Sequence, residues 1–74
     1  MNKQRKAEIK TQIERLNIII NGVQKILDDE NDYYDNIPAN LQTSLRADTS
    51  EEAIDQLAEA IDNLNEAVEC LQSI

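Results

Sequence analysis

Few side chains in this chain of 74 residues could do chemistry. The acids are the most numerous candidates. Asp28-x-Glu30-x-Asp32 has the alternation that a calcium loop uses to bring carboxylates onto one cation. That motif needs glycine at its sixth position and glutamate at its twelfth, where this sequence has Tyr33 and Ala39. The metal reading therefore fails, and no cofactor is expected. Catalysis fares no better. A nucleophile needs a base to take its proton and a third group to orient that base. The chain has no histidine, one cysteine (Cys70) and one glycine, so neither a triad nor a phosphate-cradling loop can be assembled. Acid pairs are abundant, but they stand at helical spacing, where they form a solvated face. The sequence reads as non-enzymatic.

Two constellations remain, and both suit binding. The first is Tyr33, Tyr34, Asn36, Pro38, Leu41, Gln42 and Arg46, around the only proline. Tyrosine and arginine are what interface hot spots favour. The same stretch also suits a hydrophobic cap, in which Pro38 starts a turn and Leu41 and Leu45 fold over the end of a bundle. The second constellation is a ridge of Glu52, Asp55, Glu59, Asp62, Glu66 and Glu69, with no basic residue after Arg46. Such a ridge could imitate nucleic acid and inhibit a DNA-binding host protein. One carboxylate per roughly 5 Å of helix is sparser than one phosphate per about 3.4 Å of strand, so two ridges side by side would be needed. A solvated outer face explains the same residues without a partner. A further possibility is an oligomer holding a small nucleotide-like anion, stacked on Tyr33 and Tyr34 and paired with Arg46.

These groups must be carried by helices. There is no tryptophan or phenylalanine, and isoleucine and leucine supply most of the apolar mass. Aliphatics fall at Ile9, Ile13, Leu16, Ile20, Val23 and Leu27, a heptad seam whose phase reaches Tyr34 and Ile37 with one miss at Glu30. Ile19, Ile26 and Tyr33 lie just beside it and widen the stripe. Asn21-Gly22 could be a hairpin turn, but the phase runs through it unbroken, so a helix weakened by about 1 kcal/mol is expected there. The second helix is expected to start at the capping box Thr49-Ser50-Glu51-Glu52. Its seam is Ile54, Leu57, Ile61, Leu64, Val68 and Leu71, flanked at seven-residue intervals by Ala53, Ala60 and Ala67.

The expected fold is all-α, one domain over residues 1–74. Helices over about 3–34 and 49–74 form an antiparallel hairpin with a short connector. Residues 1–27 carry six basic and two acidic side chains, residues 28–74 one and thirteen. Folding back sets Lys3, Arg5, Lys6 and Lys10 beside Glu66 and Glu69. A lone pair of helices this short is marginal, and the stripes are wider than one contact needs. The hairpin is therefore expected to dimerise into a four-helix bundle. Its oligomer core would be Ile13, Leu16, Ile20, Val23, Leu27, Ile54, Leu57, Ile61, Leu64, Val68 and Leu71.

The lone cysteine gives no disulfide framework, and no segment reads as a targeting signal or membrane span, so a cytoplasmic setting is expected. A net charge of −8 disfavours direct nucleic-acid binding, with a small opening at the basic end near Lys3–Lys10.

The run YYDNIPANLQTSLR, Tyr33–Arg46, followed by the repeated EAID-x-L pattern, resembles small acidic proteins of phage and prophage genomes in Gram-positive bacteria. Those proteins join a basic first helix to an acidic second one through a YDNIPxNLQxSxR-type connector. The likeness covers most of residues 28–74. It brings no activity to carry over. It implies a phage setting, in which small acidic proteins often act by binding host machinery. The expected partners are a second copy of the chain and a host protein.

Overall fold

The computed structural model, which covers residues 1–74, is a rod of 59 × 15 × 12 Å. Helix α1 spans Lys3–Asp35, a 3-10 turn spans Ala39–Leu41, and helix α2 spans Leu45–Gln72. The helices run antiparallel, so that Ile9 and Ile13 at the start of α1 share a cleft with Leu71 and Ile74 at the chain's end. All-α hairpin architecture follows from the two heptad seams. Ile9, Ile13, Leu16, Ile20, Val23 and Leu27 are half-buried, and the residues between them are exposed. On α2 the matching residues are Ile54, Leu57, Leu64 and Leu71, half-buried, and Ile61 and Val68, buried. Gly22 sits in unbroken helix with nothing within 4 Å of where a Cβ would stand. The hairpin alternative at Asn21-Gly22 is excluded.

The start of α2 differs from the sequence expectation. The helix begins at Leu45, capped by the Ser44 hydroxyl, which accepts from the Ala47 amide at 3.3 Å. Thr49 therefore lies inside the helix and no capping box forms around it. The earlier start extends the seam by one turn. Ala47 is thereby added to the seam and buried, and Ser50 is buried one step along it. The expected cap of Leu41 and Leu45 is also not what closes the connector end. Leu45 is 81% exposed, and the plug is Ile37, which is buried.

The core is thin. Only Ile37, Ala47, Ser50, Ile61 and Val68 are buried, and no large side chain is fully enclosed. Electrostatics adds little to the pairing of the helices. The one ion pair is Lys25–Asp29 at 3.0 Å, exposed and within α1, a kind of contact worth only a few tenths of a kcal/mol. Lys3, Arg5, Lys6 and Lys10 stand near the end of α2 but make no ion pair with Glu66 or Glu69. The hairpin is held by its aliphatic seam.

Two substitutions check this reading. Gly22→Ala is expected to raise stability by about 1 kcal/mol, because the site is helical and open. Ile61→Asp places a charge in the seam and is expected to abolish the cooperative transition. Circular dichroism during urea titration measures both. A destabilised Gly22→Ala variant would mean that the helix is interrupted there.

Candidate interaction surface

The connector is built by short-range bonds that account for much of its unusual sequence. Asn36 closes α1: its backbone amide donates to the Asp32 and Tyr33 carbonyls at 3.1 and 3.2 Å, and its side-chain Nδ2 donates to the Asp32 carbonyl at 2.8 Å. Pro38, lacking an N–H, cannot continue the helix and starts the 3-10 turn, accepting from the Leu41 amide at 2.8 Å. Gln42 is half-buried, and its Nε2 donates to the Ile37 carbonyl at 2.8 Å, bracing the turn across five residues. Ser44 then caps α2. Asn36, Pro38 and Gln42, each a candidate contact residue by sequence, are thus occupied in making the turn, with Asn36 and Pro38 still exposed at its surface.

The remaining candidates divide by face. Neighbouring residues in an α-helix point about 100° apart, so Tyr33 and Tyr34 cannot act as a pair. Tyr34 is half-buried on the seam, whereas Tyr33 is exposed at its flank. Tyr33 and Arg46 do come together. With Glu30, Leu45, Thr49 and Ser50 they line an open cleft of about 550 Å³ at the connector end. Ser50 is only 2% exposed and its hydroxyl has no hydrogen-bond partner. Leu41 stands apart from this cleft and is exposed on the turn itself. Leu45, which sequence reasoning placed in a cap, is part of the cleft wall. Its helical phase, three residues before Asp48 on the outer side of α2, would have shown this once the earlier helix start was known.

The ridge is continuous and solvated. Glu52, Asp55, Glu59, Asp62, Glu66 and Glu69 are all exposed, and Asp48, at the same helical phase, extends the line by one turn. Asp28, Glu30 and Asp32 lie on continuous helix, and no three acids converge on a common point. Neither helix is long and apolar enough to cross a membrane.

Compared with protein-family models, with curated proteins and with solved structures, the chain matches none.

Two changes separate the residues that build the turn from those that face outward. Gln42→Ala is expected to cost about 1 kcal/mol, since it leaves the Ile37 carbonyl without its partner. Ser50→Ala is expected to gain a similar amount by removing an orphaned hydroxyl. Arg46→Ala should stay within about 0.5 kcal/mol of the parent. Urea midpoints for the three variants measure the order; a costly Arg46→Ala would make that side chain part of the fold.

Proposed function

We propose that the chain is a non-enzymatic, phage-type interaction module that associates with itself into a four-helix bundle and binds a protein of the host cytoplasm, in a regulatory or counter-defence role. The observation that carries this reading is the row Ile19, Ile26 and Tyr33. These side chains are 51%, 56% and 45% exposed, a heptad apart, beside a seam that buries almost nothing completely. Large aliphatics repeated at that spacing are a packing surface in search of a neighbour. The phage setting rests on the connector resemblance. The host-facing surface is placed at the connector end, where Arg46, Leu45, Leu41 and the edge of Tyr33 offer the residue types that dominate interfaces.

One observation favours a second reading. Seven exposed carboxylates from Asp48 to Glu69 run along the outer side of α2 with no base among them. Paired in a dimer, two such ridges would present a DNA-like charge array to a nucleic-acid-binding host protein. A nucleotide-like ligand is less well served. Of the three residues expected to hold it, Tyr34 faces the seam, and the cleft that joins Tyr33 to Arg46 carries Glu30, which repels an anion.

Capture from lysate of a Gram-positive host distinguishes the surfaces. The protein expected to be retained by the parent chain should be lost with Arg46→Ala. It should still be retained when Asp55, Glu59, Asp62 and Glu66 are replaced by Asn or Gln. The opposite pattern, with capture that weakens steeply as salt is added, would establish mimicry instead.

A further inference from the structure

The two flanks of the seam differ in kind. Residues one before the seam on α1 are Ile19, Ile26 and Tyr33; those one before the seam on α2 are Arg46, Ala53, Ala60 and Ala67. In an antiparallel pair these two sets border the same side of the contact. The cleft at the connector end agrees, since Tyr33 and Arg46 share it; at the opposite end Arg5 and Gln12 line a cleft with the seam residue Leu71. The result is a flank of large aliphatics on one helix beside small alanines on the other. The opposite flank is mostly polar, with Lys10, Asn17 and Gln24 on α1 and Glu51, Asn65 and Gln72 on α2, all exposed, and Ala58 alone among them apolar and half-buried. A neighbour that buries apolar surface has one side to choose.

The charges identify the neighbour. Residues 22–62, the connector half of the rod, hold eleven acids and two bases, a net −9, whereas the remaining residues hold five bases and four acids, a net +1. The helices do not neutralise this. The first turn of α1 carries no acid and its last turn no base, so its charged ends oppose its own dipole. No base of the terminal half makes an ion pair. What complements such a rod is another of the same kind, reversed. A face of 59 × 15 Å offers on the order of 900 Å² per protomer, comparable with the roughly 800 Å² each partner contributes to a standard interface.

We propose that a second copy docks antiparallel on the flank formed by Ile19, Ile26 and Tyr33 with Ala53 and Ala60, the basic end of each hairpin lying against the acidic connector end of the other. The proposal rests on the self-association reading and adds its face and direction. The two-fold axis falls between Ile19 and Ile26. Ile19 of one copy then meets Ile26 of the other, each over an alanine of the facing α2, and Arg15 comes level with Glu30 of the second copy. A parallel pair would stack the two acidic halves on each other. In the antiparallel pair the Tyr33–Arg46 cleft of one copy is bordered by Arg5 and Gln12 of the second. The surface offered to a host protein is therefore completed only in the dimer.

The test uses the full chain with Cys70→Ser and a spin label on Gln4→Cys, an exposed position near the basic end. Sedimentation equilibrium is expected to give twice 8.4 kDa, and dipolar spectroscopy a label separation of about 55 Å, set by the rise of the helix. Ile26→Asp is expected to weaken association at least about 100-fold, and raising salt from about 0.05 to about 0.5 M should weaken the parent dimer several-fold. Labels within about 25 Å, or a dimer tightened by salt, would overturn the antiparallel arrangement and leave self-association standing. A dimer indifferent to Ile26→Asp would overturn the choice of flank. A parent chain that sediments as a monomer would overturn both, and the flank would then belong to another partner. Because Ile26 is exposed in the hairpin and its loss weakens rather than forbids pairing, Ile26→Asp should keep its helical spectrum at concentrations high enough for the weakened dimer to form; Ile19→Lys serves as a second variant with the same expected outcome.

Discussion

Two helices touching along one line can hide only the residues on that line, and here the line is all that holds the chain together. Ile61 and Val68 are buried on it, and their partners from Ile13 to Leu27 are hidden only in part. A second layer is missing on every side. Each remaining feature of the molecule follows from that shortage. The aliphatics beside the seam stay in water, the rod stays 12 Å thin, and a neighbour that covered the exposed flank would add stability.

Charge decides what that cover can be. Within the hairpin, the acidic end of α1 is folded against the acidic beginning of α2, so the connector half repels itself. Lys25 and Arg46 relieve it only in part, and the other five basic residues lie toward the far end of the rod. At about 1.5 Å per residue they are several Debye lengths away at physiological salt. Beyond Lys25 and Arg46, further positive charge there would have to come from another molecule. A reversed second copy satisfies the apolar flank and the acidic half together, whereas a host protein contacting the connector alone would satisfy neither fully.

Much of the fold was legible because heptad spacing is a strong signal over long stretches. Helix α1 was expected over about 3–34 and spans Lys3–Asp35, and the continuity through Gly22 followed from phase alone. The start of α2 was misplaced by the capping box at Thr49. That local signal is stronger than the cap at Ser44, which has Ala47 rather than an acid or amide three residues on. What moves the boundary is tertiary: one more turn buries Ala47 on the seam, a gain no local window contains. The candidate surface was half legible. Tyr33 and Arg46 were found by type, but their meeting in one cleft, and the assignment of Asn36 and Gln42 to bracing the turn, depend on the path of the connector. That Tyr34 and Tyr33 face differently was implied by helical geometry once α1 was known to run through them.

If the hairpin depends on a second copy for its cover, folding and association are one process, and stability must depend on concentration. Thermal unfolding of the parent chain, followed by circular dichroism over a hundredfold range of protein concentration, measures this directly. The account requires a midpoint that rises by about 5 °C for each tenfold increase in concentration, the size expected for a dimer of this length that melts as it dissociates. A midpoint that stays constant across the whole range would contradict it.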